Sequence, residues 1–227
     1  MHFAERTRTL DLLKELWQTF DFAALQAAAL RLAAVLLCLT VHETCHGLAA
    51  YALGDPTAKS RHRLSLNPLH HIDWFGLAAM MVAGFGWAKP VPVDMRYFKK
   101  PKQGMALTAL AGPVSNLLLA LLALLAMRGI YDYAVPTDFW LTAFSFLQML
   151  TLLNIGLGLF NLIPIPPLDG SKVLFAILPD AAYRTLMRYE RIGMIVLLAL
   201  VWFGIGDGIL STAIERVYLF LANLIFQ

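Results

Sequence analysis

Leu32-Ala-Ala-Val-Leu-Leu-Cys-Leu-Thr-Val-His42-Glu43-Thr-Cys-His46-Gly-Leu-Ala-Ala-Tyr-Ala-Leu53 is apolar at both ends and ionisable in the middle. As a helix these 22 residues are about 33 Å long at 1.5 Å per residue, enough for a hydrocarbon core of about 30 Å. The middle spells H-E-x-x-H. His42 and His46 are four apart, so a helix puts both imidazoles on one face, one turn from each other. Two nitrogens at that separation can share a zinc ion, and Glu43 can reach a water on it. Ionisable groups inside an apolar span are costly, so they mark a functional site by default.

Working outward, the composition agrees with a membrane setting. The chain of 227 residues is 59% hydrophobic and 15% charged. Soluble domains have about 45–50% apolar and about 25% charged residues. The net charge of +3 is spread over loops between apolar runs, so it reads as membrane topology, and no nucleic-acid partner is expected. The two cysteines, Cys38 and Cys45, lie about 10 Å apart along one helix, too far to bridge.

The predicted fold class is an all-α integral membrane protein, a polytopic helical bundle with a short re-entrant or extended segment around 75–93. Residues 1–22 form an amphipathic interfacial segment anchored by Trp17 and Phe20. Residues 23–206 form a catalytic transmembrane core, and 207–227 an apolar C-terminal helix that either spans or lies on the membrane. Within the core, Arg31 marks one end of the first span and Gly54-Asp55-Pro56 stops it. Further spans are expected over 104–127, 139–162 and 192–206. The run Phe75 to Ala88 is too short to cross and holds three glycines. Lys89-Pro90-Val91-Pro92-Val93 cannot be helical, and such backbone at membrane depth needs protein or a wet cavity around it.

The basic residues set an expected orientation. Loop 54–74 carries three Lys/Arg, 89–103 five and 171–191 four, against one at 128–138. The first three are therefore read as cytoplasmic and 128–138 as outside. The N-terminus, with Arg6, Arg8 and Lys14, then falls outside against the same rule. His42, His46 and Asp169 lie toward the cytoplasmic side on different spans.

A catalytic zinc takes three protein ligands and keeps a position for water. Asp169 is the expected third, because it is the acid in a long apolar stretch and follows prolines that end a helix. Asp55, Asp73, His70 and His71 are rivals in a polar loop where solvated side chains are ordinary. His62, His70 and His71 read first as loop residues and only second as another metal site.

His42-Glu43-Thr44-Cys45-His46, Gly112-Pro113-Val114-Ser115-Asn116 and Asn161-x-x-Pro164-x-Pro166-x-x-Asp169-Gly170 together resemble the site-2 protease family of intramembrane zinc metalloproteases. Gly54-Asp55-Pro56, Leu66-Asn67-Pro68 and Gly86-Trp87-Ala88-Lys89-Pro90 resemble its compact members lacking PDZ or CBS modules. The resemblance covers about residues 32–175. Thr44-Cys45 departs from the usual apolar pair at positions that bind no metal.

The resemblance implies that His42, His46 and Asp169 bind one Zn2+ per chain and that Glu43 is the base. It also implies that Asn116 and Asn161 are polar helpers near the site. Glu43 would take a proton from the activated water and pass it to the leaving nitrogen. Asn116 reads equally as an oxyanion donor and as an interhelical hydrogen bond. Val91 and Val93 are expected to hold an unwound substrate as an added strand. The expected activity is endopeptidase cleavage of a membrane-anchored protein near the cytoplasmic side of the cell membrane, as in regulated intramembrane proteolysis. The competing reading is a non-proteolytic membrane zinc-binding or transport protein, which would need the ligands but no Glu43. A metalloprotease with Glu190 or Glu215 as third ligand is a further alternative.

Overall fold

A computed structural model describes residues 21–83, 86–179 and 190–227. The expected interfacial segment 1–22 lies outside these but for its last two residues. The elements are helical: α1 Phe22–Ala52, α2 Thr57–Ser60, α3 Trp74–Ala83, α4 Pro101–Tyr133, α5 Asp138–Asn161, α6 Asp169–Ala176, α7 Glu190–Trp202 and α8 Asp207–Phe226. Among the described residues, α1, α4, α5 and α8 are long and apolar enough to cross a membrane. This is a multi-pass helical membrane protein, as its composition implies.

The first helix begins at Phe22, ahead of Arg31, because Asp21 Oδ1 accepts from the Ala24 N–H at 2.9 Å and caps the first turn. The Ala-rich run after it then carries the helix through Arg31. The span expected over 192–206 is cut short. Helix α7 ends at Trp202, before Gly204 and Gly206, whose φ angles of 65° and 99° break the helix. The twenty residues of α8 are long and apolar enough to cross.

Residues 34–227 form the compact unit that carries the site. There α4 packs against α5 and α6, and α8 lies on α5 and α4. Ala34, Cys38, Ala123 and Leu150 make a buried cluster, with Phe146 and Leu147 around it. Small side chains let apolar helices approach closely, which compensates for the absence of a hydrophobic drive in lipid. Leu118, Leu122 and Leu125 of α4 face outward.

Helix α1 ends in a glycine cap. Gly54 takes φ 105°, its N–H reaches the Tyr51 carbonyl, and the Asp55 N–H reaches the Ala50 carbonyl at 2.9 Å. After α3 the backbone is extended from Gly86 to Asp94. An antiparallel bridge pairs Ala88 with Ile72, and Lys89 N–H donates to the His71 carbonyl at 2.9 Å. At the far end the Arg96 guanidinium, bonded to the Asp94 carboxylate, holds that carboxyl down at about 2.

Helix α4 contains Pro113, which cannot donate to the carbonyl one turn back, and the Ser115 hydroxyl bonds the Gly112 carbonyl at 2.7 Å. Gly112 faces α1, and Gly158 of α5 comes close to the Pro113 carbonyl.

Candidate metal centre

Helix α1 delivers both imidazoles and α6 delivers a carboxylate. His42 Nε2 lies 3.2 Å and His46 Nε2 3.1 Å from Asp169 Oδ2, and the two Nε2 atoms are 2.9 Å apart. All three residues are buried. Asp169 is the first residue of α6, whose N-terminal N–H groups favour a negative charge there. The turn after α5 presses Gly170 against the Leu162 and Ile163 carbonyls, so no side chain fits at that position.

Each histidine has its other nitrogen engaged. His46 Nδ1–H donates to the Thr108 carbonyl at 2.7 Å, and His42 Nδ1–H donates to Asn116 Oδ1 at 2.6 Å. When both imidazoles are neutral with their protons on Nδ1, both Nε2 atoms present lone pairs, and Asp169 Oδ2 presents another. Three acceptors converge with no proton among them to share, which is unfavourable unless a cation joins them. Tetrahedral ligands at about 2.0–2.1 Å from zinc are about 3.3–3.4 Å apart, close to the spacing found. The donor set, two imidazoles and a carboxylate, suits zinc and leaves a fourth position open. Among the described residues this is the one His/Cys/Asp/Glu group that could hold a metal.

The rivals for the third ligand are engaged elsewhere. Asp55 is fully buried but caps α2 through the Thr57 N–H and accepts the Asp94 N–H at 2.7 Å. Asp73 Oδ1 caps α3 through the Phe75 and Gly76 N–H groups. His71 Nε2–H donates to the Ser65 carbonyl at 2.8 Å, while His62 and His70 are exposed.

Glu43 follows His42 on α1, and its Oε2 accepts the Val91 N–H at 2.8 Å. The Val91 side chain packs beside Gly47, one turn along the helix. Val93 is half-buried, and its N–H has no partner among the described residues. Asn116 is fully buried. Besides accepting from His42, it donates from Nδ2 to Asn154 Oδ1 at 2.7 Å, so its carboxamide faces the histidine's back and α5, not the open side. Asn161 donates to the Leu157 carbonyl of its own helix at 3.0 Å, not to a candidate ligand.

Sequence reading missed Asn154, the Thr108 carbonyl and Lys172, whose Nζ lies 3.3 Å from Asp169 Oδ1. A polar residue inside an apolar span was the available signal for Asn154, whereas nothing in a sequence flags a backbone carbonyl.

Gly112 explains why α4 can approach. A Cβ there would sit against His46 Nε2, a candidate ligand atom, and against the His42 ring. Gly112→Ala is expected to weaken zinc binding about 10- to 100-fold or more, the range typical of disturbing a ligand's supports. Competition with a chelator measures it, and unchanged affinity would show that the imidazoles do not stay in this arrangement.

Comparison with known proteins adds the following. Residues 129–204 match the family described as Peptidase family M50. The chain is 40% identical over 181 residues to YwhC of Bacillus subtilis (strain 168), which carries a zinc metalloprotease assignment; the match covers 78% of this chain and 81% of YwhC. It is 31% identical over 170 residues to Rip2 of Mycolicibacterium smegmatis (strain ATCC 700084 / mc(2)155), which has the same assignment, covering 73% of this chain and 63% of Rip2. No solved structure matches the chain.

Proposed function

This chain belongs to peptidase family M50, the site-2 type of membrane zinc metalloprotease, and we propose that it cuts a membrane-anchored protein near the cytoplasmic side, with His42, His46 and Asp169 holding the zinc. The convergence of three lone pairs from α1 and α6 is the observation that carries the ligand assignment. The sidedness rests on the basic loops flanking the site.

Zinc in such a site acts as a Lewis acid and lowers the pKa of a water toward about 7. Glu43 is the base. Its Oε2 is held by Val91, so Oε1 is free to take the proton of the attacking water and return it to the departing nitrogen. Asn116 keeps His42 in place; with its amide turned to Asn154, it is a positioning residue in this reading and not the oxyanion donor. The polar-helper role for Asn161 finds no support in its hydrogen bonding. The non-proteolytic reading finds none in the relatives, which are assigned as proteases.

A substrate helix must unwind before its carbonyls can be reached. The extended Lys89–Val93 segment runs past Glu43 and offers Val93 N–H as a strand-pairing donor. The test is cleavage of a single-span reporter in liposomes, with the cut mapped by fragment mass. A cut in the cytoplasmic half is expected, and a cut in the outer half would refute the proposed sidedness. In the same assay Val93→Pro removes that donor but leaves the Val91–Glu43 bond. Cleavage is expected to fall about tenfold, the loss of about one hydrogen bond, with zinc retained. Undiminished cleavage would end the strand-pairing idea. Val91→Pro is a poorer probe, since it also removes the N–H on Glu43.

A further inference from the structure

Behind His42 runs a buried chain of hydrogen bonds with a fixed direction, and we infer that Asn154 is the positioning residue that sets it. The inference rests on His42 being a ligand. Asn154 sits in α5, fully buried. Its Nδ2 donates to the Leu150 carbonyl at 2.8 Å and to Cys38 Sγ at 3.0 Å. A backbone carbonyl only accepts, so the nitrogen end of the carboxamide must face it. The oxygen end then faces Asn116 and accepts from Asn116 Nδ2 at 2.7 Å. That turns Asn116 Oδ1 to His42 Nδ1, 2.6 Å away. An amide oxygen also only accepts, so His42 must carry its proton on Nδ1. Its lone pair is thereby placed on Nε2, the atom that faces His46 and Asp169.

The direction passes through three helices, from a carbonyl of α5 to an imidazole of α1 by way of α4. Turning either asparagine over would oppose like atoms in a place no water reaches, and buried polar groups left unpaired are costly. The two histidines differ here. His46 bonds the Thr108 carbonyl directly, and a backbone carbonyl cannot turn over. His42 bonds a side-chain amide that can. Asn154 removes that freedom.

If Asn154 served only to join helices, its loss would lower stability and leave His42 unchanged. The full-length protein, metal-free and labelled with 15N-histidine, separates the two above the imidazole titration range. The His42 signal is identified by its absence in His42→Gln. The Nδ1–H tautomer is expected in the wild type. Asn154→Asp is expected to keep it, because burial holds the new carboxyl neutral, its O–H donating to Leu150 and its C=O accepting from Asn116. Asn154→Leu is expected to give mixed tautomers and zinc binding weaker by about 10- to 100-fold. An Nε2–H tautomer in the wild type overturns the inference. So does Asn154→Leu with unaltered tautomer and zinc affinity, even at a lower melting temperature. Should Asn154→Leu fail to fold, the wild type and Asn154→Asp decide, and mixed tautomers in Asn154→Asp count against it. The tautomer is read without metal, so its failure is distinct from failure of the protease reading, which the liposome assay tests.

Discussion

Glu43→Gln protein is expected to bind about one zinc per chain and to cleave its substrate slower by about a thousandfold or more, the upper part of the range for losing a general base. The substitution is nearly isosteric. The carboxamide oxygen can still accept the Val91 N–H, so the 2.8 Å contact that ties the extended segment to α1 survives. What is lost is the capacity to take up a proton. Because Glu43 is not among the three converging atoms, metal content should be untouched. Elemental analysis beside the cleavage assay reads both. A variant that retained more than about a tenth of wild-type cleavage would remove Glu43 from the base role, since base catalysis contributes at least about a hundredfold. Loss of zinc along with activity would mean that Glu43 supports the metal centre directly.

Asp169→Ala is expected to purify with far less than one zinc per chain after dialysis, and with affinity reduced by more than about 100-fold, beyond the effect of losing a ligand's support. Two imidazoles would remain, without the negative charge that offsets the cation. Lys172, 3.3 Å from Asp169 Oδ1, would then add an uncompensated positive charge beside the site. Asp169→Asn separates these effects: it keeps an oxygen but no charge, and should fall between the wild type and Asp169→Ala. Equal zinc in wild type and Asp169→Ala would place the third ligand elsewhere. The buried carboxylates and imidazoles outside this group are poor substitutes, because Asp55 and His71 already hold loop backbone.

The chemistry of the site was legible where it depends on neighbours in sequence. The spacing of His42 and His46 needs only the helical repeat, and the Gly54 turn needs only a residue that tolerates positive φ. Asp169 could be picked out because an acid in an apolar stretch demands a reason. The residues that tune those groups were not legible in the same way. Asn116 fitted two roles equally until its amide was found between His42 and Asn154. Asn161 carries the motif, yet Asn154, seven residues earlier, carries the contact. The bond from Val91 to Glu43 joins positions 48 apart and leaves no trace in either local pattern.

By itself the sequence determined a multi-span helical protein, the two-histidine helix with its glutamate, and the acid that the fold brings beside the two histidines. These follow from apolar length, the 3.6-residue repeat and the cost of charge in lipid, all local or additive properties of the chain. Only the tertiary structure shows which atoms of Asn116 face His42 and Asn154, and what bonds Glu43. Those depend on hydrogen-bond direction between helices, and direction exists only once α1, α4 and α5 are packed and each donor has met its acceptor.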